Sequence, residues 1–287
     1  MALALVLILV VVGSVVFHIL SPWWWTPIAS NWQYIDDTIL ITFWITGVVF
    51  VAVVLFMAYC LIRFRYNSER KAAYEPENKK LEWWLTVGTA LGVAAMLAPG
   101  LFVWKHFITP PEDATEMEVV GQQWAWSFRL PGKDVRLGAS NTPNVSAENP
   151  LGLSVHDPAA NDDVVIEGGD LHLLVGKPVK VLLRSVDVIH DFYVPEFRTK
   201  MDMVPGTVTS LWFTPIRTGT FEIFCAEYCG IGHAYMRGKV VVDNERDYQT
   251  WLGQQKTFVT AEARPTQAND VASSREQRGA GFGGVQR

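Results

Sequence analysis

The first third of the chain is dominated by apolar residues, which fall into three long runs separated by polar stretches. Each run is close to the ~20 residues that a helix needs to cross a membrane. Tryptophan, which prefers the boundary between membrane and water, stands at their ends, at Trp23, Trp24, Trp25, Trp83, Trp84 and Trp104. A buried helical core in a soluble protein is the alternative, but no run offers a polar face to water. We predict three transmembrane helices, at about residues 2–20, 38–62 and 83–107.

The two loops between these helices differ in charge. The loop over residues 63–82 carries Arg63, Arg65, Arg70, Lys71, Lys79 and Lys80. The loop between the first two helices carries Asp36 and Asp37 and no lysine or arginine. Because basic loops stay in the cytoplasm, we predict a multi-pass protein of a bacterial inner membrane with the 63–82 loop cytoplasmic. The chain after the third helix then lies in the periplasm.

The first apolar run has a second interpretation, as a signal peptide removed on export. It lacks a basic segment before the apolar residues, and Ser21-Pro22-Trp23 does not resemble a small-residue cleavage site. We therefore favour a retained helix, additional to two core helices.

From residue 108 the pattern changes to short runs rich in Val, Ile, Phe and Thr, separated by Pro-Gly, Gly-Gly and Thr-Gly pairs. The predicted strands cover 117–120, 164–167, 179–184, 192–194, 208–213, 221–224 and 239–242. Many short strands with such turns favour a β-sandwich or barrel. Residues 131–163 are polar and predict a long surface excursion. The predicted domains are a helical anchor (1–107), a β-domain (108–257) and a disordered tail (258–287).

Composition narrows the possible functions. The chain of 287 residues is 49% hydrophobic and carries a net charge of −5, which argues against nucleic acid as a partner. Its three cysteines cannot form a disulfide framework. No Cys-x-x-Cys-His motif is present, so the chain carries no c-type haem of its own.

Two of the three cysteines lie in the twelve-residue segment CAEYCGIGHAYM, residues 225–236. Cys225, Cys229, His233 and Met236 offer soft thiolate, imidazole and thioether donors, which favour copper over magnesium or calcium. Two thiolates are enough to bridge two metal ions. A second nitrogen would come from His190, which follows a strong predicted strand, and the backbone carbonyl of Glu227 could complete a ligand shell.

Other interpretations of these residues are a structural zinc half-site or a periplasmic disulfide. A second cysteine pair, which zinc sites of this kind normally need, is missing from the sequence. Met201 and Met203 are interpreted as packing residues. The remaining histidines have no partner in sequence and are interpreted as structural: His18, His106, His156 and His172.

The order His190…Cys225-x-Glu227-x-Cys229-x3-His233-x2-Met236 resembles the dinuclear copper A site of cytochrome c oxidase subunit II. The resemblance runs from about residue 32 to 255. It includes Asp-x-x-His-x-Phe-x-Val-Pro over 187–195 and Lys-x-Asp-x-Val-Pro-Gly over 200–206. It implies a membrane-anchored all-β protein: two core transmembrane helices plus the additional one, followed by a cupredoxin-like Greek-key β-sandwich.

The resemblance also implies roles for the site residues. Cys225 and Cys229 would bridge two coppers, His190 and His233 would each bind one, and Met236 and the Glu227 carbonyl would be weak outer ligands. The Glu227 side chain would reach a magnesium ion shared with subunit I. The chain would take electrons from cytochrome c or another periplasmic donor and pass them to haem in subunit I. Oxygen reduction there is coupled to proton pumping, and subunit III is a further partner.

Two roles outside the ligand set follow from the same resemblance, and a third is a separate hypothesis. Trp124 resembles the exposed tryptophan through which electrons arrive, and Glu82 the glutamate near a proton-pathway entrance. Asp187 is predicted to orient His190. The sequence departs from the family after Trp124, where Lys133 and Arg136 follow in place of the expected acids. The absence of these acids argues against the usual lysine-faced cytochrome c, and Asp187 and Asp202 remain as acidic candidates for docking.

Three alternatives share part of this pattern. A quinol-oxidase-type subunit II has the same architecture but lacks the ligands. Nitrous oxide reductase shares the copper module but needs a large propeller domain. A membrane-tethered copper-binding or copper-delivery protein would purify without haem-bearing partners.

Overall fold

The computed structural model describes residues 1–21, 26–71, 74, 76–146, 149–154 and 156–258. Three long helices precede the β-domain: α1 (Ala2–Leu20), α2 (Gln33–Arg63) and α3 (Lys79–Phe107). All three are long and apolar enough to cross a membrane. The residues predicted to flank the first helix, Trp23, Trp24 and Trp25, lie outside the described part of the chain.

The second and third helices begin earlier than the apolar runs. The α2 helix begins at Gln33 and α3 at Lys79, where the sequence predicted about residues 38 and 83. In α3 the first turn is polar and is capped by a side chain. The side chain of Asn78 accepts a hydrogen bond from the backbone N–H of Leu81 at 3.1 Å and caps α3. An apolar run alone does not predict a polar first turn of this kind.

The β-domain is a sandwich of two five-stranded sheets. One sheet has the order β3-β2-β1-β5-β8 and the other β4-β10-β9-β6-β7. The strands are β1 (Thr115–Gln122), β2 (Ala125–Leu130), β3 (Val164–Glu167), β4 (Leu171–Leu174), β5 (Val179–Ser185), β6 (His190–Val194), β7 (Thr199–Met203), β8 (Thr209–Phe213), β9 (Gly219–Cys225) and β10 (Arg237–Asp243). Several neighbouring strands are not consecutive, so the chain crosses between the sheets as in Greek-key sandwiches. The predicted helical anchor followed by a β-sandwich is confirmed.

Short helices complete the β-domain: α4 (Pro158–Asn161) and α5 (Glu245–Leu252). All seven predicted strands are present, and β2, β4 and β7 were not predicted. The reason is clearest in β2, where Ser127 and Arg129 are buried together with the apolar Trp126 and Phe128. Both faces of β2 are covered, so the strand shows no simple alternation of apolar and polar residues.

The 131–163 segment is more than a surface excursion. It buries Leu151, Leu153 and Ala160 against Val120 and Phe258 in a small second core. Phe258 therefore belongs to the β-domain, one residue beyond the predicted boundary. The rest of the predicted tail, residues 259–287, lies outside the described part of the chain.

The main core between the sheets is closed by residues that precede α2. Trp32 is 2% exposed and belongs to this core together with Ala29. Its Nε1 donates to the backbone carbonyl of Trp212 at 2.9 Å, and its ring lies 5.1 Å from that of Phe107. The β-domain is thus packed directly on the ends of α2 and α3.

An ion pair adds to this junction. Arg198 donates through Nε to Oδ1 of Asp36 at 2.7 Å and through Nη2 to Oδ2 at 2.9 Å. Such a two-point contact fixes direction as well as distance, so it orients the start of β7 relative to the first turn of α2.

Candidate metal centre

Four loops meet at one end of the sandwich. They connect β1 to β2 (residues 123–124), β5 to β6 (186–189), β7 to β8 (204–208) and β9 to β10 (226–236). Strand register brings them together, since His190 on β6 pairs with Met203 on β7, and Phe192 pairs with Cys225 on β9. Residues distant in sequence therefore become neighbours at this end.

All six donor atoms named from the sequence lie in one cluster. The Sγ atoms of Cys225 and Cys229 are 3.7 Å apart. Nδ1 of His190 lies 3.8 Å from Sγ of Cys225, and the Glu227 carbonyl oxygen lies 3.2 Å from the same sulfur. Around Sγ of Cys229, Nδ1 of His233 lies at 3.6 Å and Sδ of Met236 at 3.8 Å.

The two thiols do not form a disulfide bond with each other. The sulfur separation of 3.7 Å is far above the ~2.05 Å of a disulfide, and all three cysteines are free. Burial, together with the neighbouring Cys225, raises the pKa of the Cys229 thiol to about 11. Two such thiols become thiolates when a cation is present to offset their charge. The donor set therefore fits a soft metal.

Water has little access to the cluster. His190, Cys225, Cys229 and Met236 are buried, and His233 is half-buried. The ligand atoms of His190, Cys225 and Cys229 lie within 4.8 Å of one another. Burial of the donors keeps the local dielectric low and limits exchange with solvent.

His190 is oriented from behind by Asp187. Oδ1 of Asp187 lies 2.8 Å from Nε2 of His190, and Oδ2 accepts the backbone N–H of Gln123 at 2.6 Å. Burial opposes ionisation of Asp187, but hydrogen bonds from Gln123, His190 and Val188 outweigh it and lower the pKa of the carboxyl. The carboxylate only accepts, so Nε2 carries the proton and Nδ1 presents its lone pair toward Cys225.

Trp124 lies over the 226–236 loop, here named the ligand loop. Its side chain is 40% exposed, and its ring packs on the backbone of Gly230 and Gly232. A Cβ built at Gly232 would come within 3.0 Å of three atoms of the Trp124 ring. The adjacent Gln123 donates through Nε2 to the backbone carbonyl of Cys229 at 2.8 Å. These contacts bind the β1–β2 loop to the ligand loop.

Sequence reasoning missed Gln123, Gly232 and Gly121 as parts of the site. A Cβ at Gly121 would lie 3.1 Å from Cδ2 of His190, so this glycine makes room for the imidazole. The Gly-x-Gly spacing at 230–232 was visible in the sequence, but its partner Trp124 lies on a different strand pair. Only the fold brings the two together.

Asp202 and the adjoining Asp191 lie below the ligand loop, opposite each other on β7 and β6. Burial raises the pKa of the Asp191 carboxyl to about 7, and the Asp202 carboxyl adds to the shift. Lys200 Nζ lies 3.8 Å from Oδ2 of Asp191. Asp202 is thus part of a compact charge cluster on the sheet face.

Several residues that the sequence analysis discussed lie away from the donor cluster. Glu82 is in the first turn of α3, about 35 Å along the helix from the end that contacts the β-domain. Lys133 and Arg136 follow β2 at the end opposite Trp124. Met203 is fully buried in the core, and Met201 packs against it.

The four histidines interpreted as structural also lie apart from the donor cluster. His172 contacts Asp243 at 2.6 Å and stacks on Trp251. His106 Nδ1 lies 3.1 Å from the carbonyl of Phe102. His18 lies on α1. His156 lies in the 131–163 segment, shortly after the buried Leu153.

Comparison with known proteins gives consistent matches. The family model described as "Cytochrome C oxidase subunit II, periplasmic domain" matches residues 115–244. An alternative cytochrome c oxidase subunit 2 of Bradyrhizobium diazoefficiens is 69% identical over 264 residues, covering 92% of this chain and 95% of the relative. The cytochrome c oxidase subunit 2 of Cereibacter sphaeroides is 31% identical over 240 residues, covering 80% of this chain and 77% of that one.

Among solved structures, the periplasmic domain of subunit II of the Bradyrhizobium japonicum cytochrome oxidase is 25% identical. Its match covers 50% of this chain and 95% of that one, with a TM-score of 0.38.

Proposed function

The chain belongs to the cytochrome c oxidase subunit II family, and we propose that it takes electrons from a periplasmic donor at a dinuclear copper A centre. As a subunit of such an oxidase it is part of an oxidoreductase complex. The observation that carries the proposal is the meeting of six soft and weak donors from β6, the end of β9 and the 226–236 loop in one buried cluster.

The proposed ligands are Cys225 and Cys229 as bridges, His190 and His233 as one nitrogen each, and Met236 and the Glu227 carbonyl as weak outer donors. Copper held by these residues would supply the electron transfer, and a pair that shared one electron would rearrange little as the electron arrives or leaves. The residues of the chain supply the rest. Asp187 holds the proton of His190 on Nε2, and the buried surroundings keep water away from the sulfurs.

Trp124 is the proposed point at which electrons enter. Its ring is partly exposed on one side and packs on Gly230 and Gly232 on the other, between the ligands Cys229 and His233. From the cluster, electrons would pass to haem in subunit I, where oxygen is reduced with coupled proton pumping. The Glu227 side chain is exposed and is the proposed ligand of a magnesium ion at the subunit I boundary.

The remaining assignments concern the membrane. We place the chain in a bacterial plasma membrane with the 63–82 loop in the cytoplasm and the β-domain in the periplasm, next to subunits I and III. Glu82 would then lie at the cytoplasmic end of α3, where an acid also favours the positive end of the helix dipole. This location supports its proposed place near a proton-pathway entrance.

The test is metal analysis and electron paramagnetic resonance on the chain purified from membranes. We expect two coppers per chain and one unpaired electron delocalised over both. Cys229→Ser should abolish this signal, whereas Cys60→Ser, in α2, should leave it intact. One copper with a localised signal, or zinc, would contradict the proposal. Purification without haem-bearing partners would instead favour a tethered copper protein.

A quinol-oxidase-type role finds less support. Its hallmark is loss of the metal ligands, whereas all six donors are present and adjacent.

A further inference from the structure

We propose that the electron donor docks at the copper end through apolar contact rather than through paired charges. The docking surface is formed by Trp124, Ile189 and Ile231, here named the apolar collar. The occupant is a small electron-carrier protein whose redox group lies in an apolar, weakly charged face. This inference rests on the proposed function and specifies the donor that it would accept.

The three collar side chains are exposed and belong to loops that touch one another. Trp124 is 40% exposed, Ile189 44% and Ile231 88%. Ile231 stands between Gly230 and Gly232, the two glycines on which the Trp124 ring packs. Ile189 shares its loop with Asp187, whose carboxylate binds the N–H of Gln123 next to Trp124. Exposed large apolar side chains grouped in this way mark interaction sites.

Charge is scarce at this end of the sandwich. In the four loops 123–124, 186–189, 204–208 and 226–236, the formally charged residues are Asp187 and Glu227. Glu227 is exposed, and in the proposed function it faces subunit I. The acidic docking surface that a lysine-ringed partner needs is therefore not formed by these loops.

The two acids predicted for docking are already engaged. The Asp187 oxygens are occupied by Gln123 N–H, Val188 N–H and Nε2 of His190. Asp202 lies in the cluster with Asp191, which also has Lys200 beside it. Arg237, which follows the ligand loop, lies 3.6 Å from Glu222. Opposite charges thus offset each other locally.

Apolar docking has a kinetic signature. Attraction between charged faces is screened by salt, so donors that dock electrostatically slow steeply as ionic strength rises. Association driven by apolar burial depends little on salt and lacks long-range steering. The dependence of kcat/KM on ionic strength therefore distinguishes electrostatic docking from apolar docking.

The experiment uses the purified, assembled oxidase. Two protein donors are compared: lysine-rich mitochondrial cytochrome c and the same protein with its lysines acetylated. A small-molecule reductant provides a reference rate of reduction that does not depend on a protein docking surface. We expect kcat/KM to change less than about twofold up to about 0.3 M salt, and acetylation not to lower it.

An uncharged polar substitution in the collar gives the second arm. For Ile231→Ser, we expect the ratio of the rate with acetylated cytochrome to the rate with the small reductant to fall about tenfold, because the contact loses apolar area without gaining charge. The matched control is Ile216→Ser, the same change at an exposed isoleucine between β8 and β9, at the other end of the sandwich. The control should keep both rates.

Three results would overturn the inference. The first is a tenfold or greater fall of kcat/KM with salt and with acetylation. The second is an unchanged ratio in Ile231→Ser, and the third is loss of the haem subunit from that variant, which would mean that another subunit covers the collar. Failure of the proposed function looks different, because neither the protein donors nor the small reductant would then reduce the centre.

Discussion

Asp187 and His190 are joined by a 2.8 Å contact between Oδ1 and Nε2, and this contact leaves Nδ1 of the imidazole facing Sγ of Cys225 at 3.8 Å. The carboxylate is itself held by two backbone N–H groups, from Gln123 and Val188. The direction of one proposed ligand is thus determined by the loop before β6 and by the turn after β1.

Asp187→Asn should disturb this arrangement without removing a ligand. An amide accepts through one atom only, so it cannot serve Nε2 of His190 and both N–H groups as the carboxylate does. We expect about 10- to 100-fold weaker copper retention against a chelator, together with a shifted reduction potential. Asp170→Asn, at an exposed acid in the turn before β4, is the control. An unchanged spectrum and potential would contradict the orienting role.

Gly232→Ala tests the packing of Trp124 on the ligand loop. The added Cβ would meet the Trp124 ring within 3.0 Å, so the ring must move away. We expect copper content to remain while reduction by a protein donor slows relative to reduction by a small molecule. Gly88→Ala adds a methyl group in open space on α3 and should change neither rate. Equal donor rates in both variants would remove Trp124 from the proposed route.

Asp163 predicts a pH dependence of stability. Burial raises the pKa of its carboxyl to about 6, although Gly138 N–H and Arg129 oppose the shift. The folded chain therefore holds this proton more tightly than the unfolded chain, and the resulting stabilisation is present in full below about pH 3.8. It is lost as the pH rises through about 6.

The expected loss is about 3 kcal/mol, at about 1.4 kcal/mol for each unit of pKa shift. It appears as a decline in the free energy of unfolding between about pH 4 and pH 6, measured by denaturant titration. Asp163→Asn cannot ionise and should lose this slope, whereas Asp170→Asn should keep it. A slope that persists in Asp163→Asn would assign it to other carboxyls.

Trp32→Ala should destabilise the β-domain although Trp32 precedes α2. The side chain is 2% exposed and its indole N–H is bonded to Trp212. Removing a buried tryptophan costs about 3–5 kcal/mol. The exposed Trp44 of α2 provides the control Trp44→Ala. Thermal unfolding of the purified chain should show a clear loss only for Trp32→Ala; equal midpoints would show that the core closes without this residue.

The clustering of the donors could be predicted from the sequence because four of them, Cys225, Cys229, His233 and Met236, lie in one twelve-residue segment with diagnostic chemistry. His190 required the further idea that two metals need two nitrogens. The roles of Gly121, Gln123 and Gly232 depend on contacts between loops that are distant in sequence, and local spacing carries no record of them.

The missed strand β2 has a related cause. Arg129 is buried because it bonds to Glu118 and Asp163 at 2.9 Å each and to the carbonyl of Gly138. Its burial follows from the cover that the 131–163 segment provides. A polar residue thus occupies an interior position, which the alternation of apolar and polar residues along a strand cannot predict.

The junction formed by Trp32 and by the Asp36–Arg198 pair has a consequence for electron transfer. Electron tunnelling slows steeply with each added ångström, so a β-domain that swung on a flexible tether would give every turnover a different rate. Here the β-domain rests on α2 and α3 through packed rings and a two-point ion pair. The membrane helices would therefore act as a spacer of constant length between the donor cluster of the β-domain and any electron acceptor held by the same membrane.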